Sequence, residues 1–353
     1  MRTTIYLHNG DAKTGTSFIQ NFLDVNRARL FSEHQCLYPN FNADNINEGR
    51  CHNHAPYYNT IKHNQKKFIN DLEKLESFIQ RHEIDKVILS NEAWFLQKED
   101  IEVFTKILES FEYFELKTIS YLRRVDLWFE SAWKQWGLKQ YKSCEEFSEL
   151  PLIQDRYKGI LNYLEQWAEA IGQENVIVRP YEKQQLPKGL VQDFMTVLGI
   201  NYDSYVWNKT ENTNLSSNTG FHRDVLEMLH YCQDLFTDIH DNHLFDLFSN
   251  LLTEEFQKEP FKEYALISPQ RRLDIINNNL PYEKQIAEKF MGRENGTIFY
   301  DPLPDPNEPW QLYEGLDLKK VIPIIIKMID QNNQLIMNNK RIIALIHNRS
   351  VDN

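Results

Sequence analysis

Leu7-His8-Asn9-Gly10-Asp11-Ala12-Lys13-Thr14-Gly15-Thr16-Ser17 lies at the start of the chain, directly behind the apolar run Thr4-Ile5-Tyr6-Leu7. Gly10 and Gly15 bracket a turn, and the residues that follow, Thr16 to about Glu33, set Ile19, Phe22, Leu23 and Leu30 on one face of a helix. Strand, glycine-bounded loop and helix in that order point backbone N–H groups and a positive helix end at a common spot. That geometry holds a phosphate.

The lysine of this loop stands in an unusual place. A triphosphate-binding loop reads G-x-x-x-x-G-K-[ST], with its lysine directly after the second glycine, where it reaches the β and γ phosphates. Here the two glycines keep that spacing, but Thr16 occupies the lysine's position and the lysine is Lys13. A ligand without a γ-phosphate has no need of the usual lysine.

Short β-rich runs, Thr4 to Leu7, Lys86 to Ser90, Lys117 to Leu122 and Asn175 to Val178, alternate with helical patterns such as Gln65 to Arg81 and Arg156 to Ile171. This alternation predicts an α/β fold, a P-loop-like parallel sheet flanked by helices. Ligands of such sheets bind beyond the C-terminal strand ends. Past residue 200 the strand signals fade into helical segments: Arg223 to Leu235, Leu244 to Phe256, Pro281 to Met291, and Leu318 to Met337, the last interrupted by Pro323, Lys327 and Asp330. Residues 1–200 are thus expected to form the α/β core, and residues 201–353 a mainly helical portion packed on the same domain. The proline-rich stretch Asp301 to Pro309 reads as a surface loop.

The chain has 353 residues, 41% hydrophobic and 13% aromatic, which suits a folded protein with ample core. A net charge of −12 argues against broad, nonspecific binding to nucleic acid or to anionic membrane, and leaves room for a local basic pocket. Met1-Arg2-Thr3-Thr4 runs straight into the first strand, and no apolar run approaches the roughly 20 residues of a membrane span. A cytoplasmic protein is the expectation. Cys36, Cys51, Cys144 and Cys232 lack C-x-x-C spacing, as suits a reducing compartment, and Cys51-His52-Asn53-His54 has no second ligand cluster to complete a metal site.

The string His8-Asn9-Gly10-Asp11-Ala12-Lys13-Thr14-Gly15-Thr16-Ser17-Phe18-Ile19-Gln20 resembles the 5′-phosphosulfate loop of sulfotransferases that use 3′-phosphoadenosine 5′-phosphosulfate (PAPS), whose recurring core is K-[ST]-G-T-[ST]. The resemblance implies PAPS as co-substrate, with Lys13 beside the bridging oxygen that gains charge as the bond to sulfur breaks. It places Thr14, Gly15, Thr16 and Ser17 around the 5′-phosphate. It also implies a 3′-phosphate element after the strand Lys117 to Leu122, an arginine at the strand end and a serine on the next helix. Arg123 and Ser131 meet that spacing, and Arg124 is the neighbouring candidate. Val176-Ile177-Val178-Arg179-Pro180-Tyr181-Glu182 and Asp193-Phe194-Met195 to Leu198-Gly199 look like the later strand and helix of bacterial carbohydrate sulfotransferases. The likeness is close over about the first 200 residues.

Sulfuryl transfer to an alcohol needs a proton acceptor, and this family uses histidine or glutamate. Glu92, just past the strand Lys86 to Ser90, is the first candidate; His54, in the polar loop Asn40 to Thr60, is the second, with His52 beside it. His8 is expected to orient the loop or face the core. The implied acceptor is a hydroxyl, on a carbohydrate or glycolipid, with Trp94, Trp128, Trp133 and Trp136 as possible stacking faces or as core. No metal, nucleic acid or membrane span is expected. Two other readings remain open: a P-loop nucleotide kinase or triphosphatase, for which Asp126 would be the acidic Mg²⁺ ligand, and a noncatalytic interaction module.

Overall fold

A computed structural model describes residues 2–55, 60, 63–92, 98–111, 113–202, 207, 221, 223–251, 266–310, 313 and 315–351. The strands are β1 (Thr3–Gly10), β2 (Cys36–Leu37), β3 (Lys86–Asn91), β4 (Phe114–Leu122) and β5 (Val176–Pro180). The first helices are α1 (Thr16–Val25), α2 (Arg27–His34), α3 (Gln65–His82), α4 (Lys98–Glu109), α5 (Val125–Gln135), α6 (Cys144–Ser148) and α7 (Pro151–Gln154). Then come α8 (Arg156–Ile171), α9 (Leu190–Val197), α10 (Arg223–Tyr231), α11 (His243–Leu251), α12 (Pro269–Met291) and α13 (Leu318–Val351).

The five strands form one parallel sheet in the order β2-β3-β1-β4-β5, flanked by helices, and the later chain is mainly helical. β1 is central, with Asn9 beside both Asn91 of β3 and Ser120 of β4. The chain leaving β1 goes next to β2 on one side, whereas the chain leaving β4 goes to β5 on the other. Connections therefore part above the β1 and β4 ends, the place where open α/β sheets bind ligands.

Both faces of the sheet are covered, which is why its strands read as apolar runs. On one face Tyr6, Ile88, Ile119 and Tyr121 pack with Ile19, Phe22 and Leu23 of α1 and Phe194, Met195 and Leu198 beyond. Side chains alternate along a strand, so Ile5, Leu7, Val87 and Leu89, all buried, serve the opposite face.

Several helix boundaries differ from the sequence expectation; α10, expected to reach Leu235, ends at Tyr231. The helix expected to run to Glu33 breaks at Asn26, whose backbone and side-chain N–H groups both donate to Phe22 O, and α2 starts afresh at Arg27. Pro281, read as a helix start, lies inside α12. Asn279 explains how that helix is held before the proline: its side chain donates to Ile153 O and Ile275 O and accepts from Tyr157 N–H. Tertiary bonds override the local break signal. α13 likewise continues through Pro323 and past Met337 to Val351. Phe256, in an expected helix, lies outside the described residues.

The chain divides into two compact units, Met1–Trp128 with Pro151–Glu211 and Asp274–Leu303, and Phe129–Leu150 with Asn212–Leu273 and Pro304–Asn353. The first holds the sheet. In the second, Phe129 and Trp133 pack on Phe147, and Lys139 Nζ donates to Ile239 O, Asp241 O and Asn242 Oδ1 at 2.6–3.0 Å. There α13 packs against α11, with Ile324 fully buried. No described helix is long and apolar enough to cross a membrane.

Candidate active site

The loop after β1 demands its glycines. A Cβ on Gly10 would stand 2.0 Å from Thr16 Oγ1, closer than any real contact. Gly15 has φ 81°, in the left-handed region, and a Cβ there would meet Leu190 Cδ2 at 2.5 Å and Tyr181 Cε2 at 3.2 Å. Lys13 also has a left-handed backbone, φ 69°, although it carries a side chain. Such a conformation costs roughly 1–2 kcal/mol and persists only where surroundings impose it.

The surroundings here are donors aimed at loop carbonyls. Thr14 Oγ1 donates to Asp11 O, Trp128 Nε1 to Ala12 O at 2.8 Å, and Arg123 Nη1 to Lys13 O at 3.2 Å. A trans peptide sets its N–H opposite its carbonyl. Holding the Ala12 and Lys13 carbonyls to one side therefore turns the N–H groups of Lys13 and Thr14 to the other. Gly15 then caps α1 without any side-chain bond to the first-turn amides. Thr16 Oγ1 is buried and has no hydrogen-bond partner among the described residues. An uncapped helix end beside an orphaned hydroxyl suits a phosphate oxygen.

Behind the loop, Arg156 Nη2 binds both carboxylate oxygens of Asp11, at 2.6 Å to Oδ2, and its guanidinium lies 3.4 Å from the centre of the Trp128 ring. Burial pushes the Asp11 carboxyl up, and Arg156 pulls it back. This brace was not singled out from sequence, because its members are scattered along the chain. Trp128, considered as a stacking face, instead holds the loop with its indole N–H, and Trp133 is buried. Trp94 lies outside the described residues.

The two arginines after β4 have different surroundings. Arg124 is buried and bound to both oxygens of Asp126, and it donates to Asp301 O at 2.9 Å and Pro302 O at 3.0 Å. Arg123 is half-buried, contacts the loop through Lys13 O, and has its guanidinium 5.8 Å from the Tyr181 ring centre. Ser131 is half-buried on α5, on the part that belongs to the second unit. Ser17 is exposed in the first turn of α1, whereas the Thr14 hydroxyl is spent inside the loop.

Glu92 directly follows β3 and is exposed as a residue, yet its carboxyl lies partly among protein atoms. Burial pushes it above the usual carboxylate range, Lys13 opposes the rise and Asp11 adds to it. Glu92 and Lys13 therefore feel one another's charge.

His54 is differently placed. Its Nδ1 accepts from Ser90 N–H at 3.0 Å, its Nε2 donates to Pro39 O at 2.9 Å, and burial pushes its pKa down to about 4. Both ring nitrogens are occupied, and the ring pins the 39–54 loop to the end of β3. A proton acceptor needs a free nitrogen, so the geometry argues against that role. His52 is exposed; His8 is buried beside Ser90 Oγ at 2.8 Å and is pushed down to about 3. No cluster of three or more potential metal ligands exists among the described residues.

No family model matches the chain. An uncharacterized protein of Archaeoglobus fulgidus is 27% identical over 198 residues, a match that takes in 54% of this chain and 44% of that protein's length. Among solved structures, a sulfotransferase domain from the curacin biosynthetic pathway is similar, at 11% identity and a TM-score of 0.36, over 78% of this chain and 97% of that domain.

Proposed function

We propose that this chain transfers the sulfuryl group of PAPS to an acceptor hydroxyl on a carbohydrate or glycolipid. The observation that carries the reading is the loop itself. Lys13 is held in a left-handed conformation while donors on Trp128 and Arg123 fix the carbonyls beside it. A lysine at this point reaches the near side of a bound phosphate rather than a terminal γ-phosphate. The orphaned Thr16 hydroxyl and the uncapped end of α1 fit the 5′-phosphate of the co-substrate.

In this reading the acceptor oxygen attacks sulfur in line, its proton passes to Glu92, and the bond from sulfur to the bridging oxygen breaks. The electron pair stays on that oxygen, giving 3′-phosphoadenosine 5′-phosphate, and the Lys13 ammonium neutralises the charge. A carboxyl pushed upward is a better proton acceptor for an alcohol than an ordinary one. Arg123 is assigned the 3′-phosphate. A triphosphatase would want Asp126 for Mg²⁺, but Arg124 already occupies that carboxylate.

The test is direct. Titration with 3′-phosphoadenosine 5′-phosphate should stabilise the protein, about 2.7 kcal/mol at 100 times the dissociation constant, whereas ATP with Mg²⁺ should not. Lys13→Ala should abolish sulfuryl transfer from PAPS, and Glu92→Gln should slow it by about two to four orders of magnitude. Near-normal transfer by the Lys13 variant would overturn the mechanism.

A further inference from the structure

The helix α13 carries an apolar stripe that its own unit does not cover. Ile324 is buried, and Val321, Met328 and Gln331 on the same side are half-buried. Ile322, Ile325, Ile329 and Ile336, at steps of three, four and seven residues, share another face and are 41–55% exposed. Leu318 and Met337 extend the stripe at 71% and 60% exposure. Four isoleucines in one exposed row are unusual for a surface that meets only water.

The charge on this helix opposes that of the chain. Lys319, Lys320, Lys327, Lys340, Arg341 and Arg349 stand against the single acid Asp330, in a protein whose net charge is −12. A whole-chain balance hides this basic segment. Lys319 and Arg341 lie beside the apolar stripe and Lys340, four residues past Ile336, ends the isoleucine row; an amphipathic helix of this kind lies in a bilayer interface, its apolar face among acyl chains and its cations at anionic headgroups.

A second copy of the helix is the main competing occupant, since Ile322, Ile329 and Ile336 recur every seven residues. The intermediate positions disfavour a paired helix, and the charge decides between the two. A paired helix would need apolar side chains at 332 and 339, and both are asparagine. The basic residues of two such helices would also repel, whereas an anionic surface complements them.

We propose that α13 docks this protein on the surface of an anionic lipid bilayer, lying in the interface without crossing it. The inference stands apart from the catalytic reading, because no residue of the loop takes part. Flotation of the full chain with vesicles of phosphatidylcholine, with and without phosphatidylglycerol, tests it. Binding should require phosphatidylglycerol and weaken as salt rises. Lys340→Gln with Arg341→Gln should lower partitioning about thirtyfold, about 1 kcal/mol for each cation near an anionic surface. Ile329→Ser with Ile336→Ser should abolish it, while circular dichroism shows the helical content retained. Equal binding to both vesicle types, or to neither, overturns the proposal. So does a dimer, seen by light scattering, that the serine pair dissociates without any vesicle binding by the parent chain.

Discussion

Replacing Arg156 with methionine should destabilise the sheet-bearing unit by about 3–5 kcal/mol, the cost of stranding a buried carboxylate. The side chains of Arg156 and Asp11 are only 6% and 5% exposed, and Nη2 reaches both carboxylate oxygens. Methionine fills the space against Trp128 but leaves the Asp11 charge with the Ala12 amide as its remaining close donor. Asp11→Asn should cost less, because Arg156 keeps the face of Trp128, a contact worth about 0.5–2 kcal/mol. In the double variant neither charge is stranded, so the two penalties should overlap by roughly 1–3 kcal/mol. Urea unfolding of the four proteins at neutral pH measures this cycle. The penalty in Arg156→Met should shrink in acid, since protonating Asp11 removes the buried charge that burial already disfavours. A loss under about 1 kcal/mol for Arg156→Met, or strictly additive losses, would refute the claim that this pair braces the loop.

Two further outcomes follow from the site. Arg123→Ala should weaken binding of 3′-phosphoadenosine 5′-phosphate roughly tenfold or more, and more than it weakens adenosine 5′-phosphate, because beyond its bond to Lys13 O it loses one charge-assisted contact to the 3′-phosphate. Arg124→Ala should instead destabilise the fold, since it frees Asp126 and the Asp301 and Pro302 carbonyls; calorimetry on both variants separates the roles, and the reverse pattern would exchange them. His54, buried and neutral, has a folded pKa of about 4 against an unfolded value near 6.5, so the unfolded chain binds the extra proton between those pH values. Stability should be full above pH ~6.5 and fall by up to roughly 3 kcal/mol as pH drops toward ~4. His54→Gln, which keeps an acceptor and a donor, should flatten that limb in acid-unfolding curves, and identical slopes would assign the loss to other groups.

The parallel sheet was legible because its strands are covered on both faces and so carry continuous apolar runs at β-propensity residues, as in Thr4 to Leu7 and Lys86 to Ser90. β2 was not, since two residues, Cys36 and Leu37, are too short for any period to show. Helix ends failed where side chains far along the chain supply what the local sequence lacks, as Asn279 does at α7 and α8 before Pro281. The loop could be read because its parts are contiguous. Its brace could not, because Asp11 and Arg156 lie 145 residues apart, and Trp128 lies 116 residues from Ala12. His54 misled for a related reason: a histidine in a polar loop looks available until the loop is seen to fold back on β3, where Ser90 N–H and Pro39 O take both of its nitrogens.

The displaced lysine is held from several sides. A left-handed Lys13 costs free energy that a glycine there would not, and the sequence nonetheless keeps a cation at that position. Trp128 and Arg123 hold the peptides on either side of it, and Arg156 holds Trp128 and Asp11 in turn. A loop that merely turned a strand into a helix would gain nothing from this investment in one residue's conformation. Positioned charge does gain, because electrostatic stabilisation of a leaving oxygen depends on a cation already in place when the charge develops. Relaxing the conformation while keeping the ammonium, by loosening the brace at Arg156, should therefore slow transfer more than it weakens nucleotide binding.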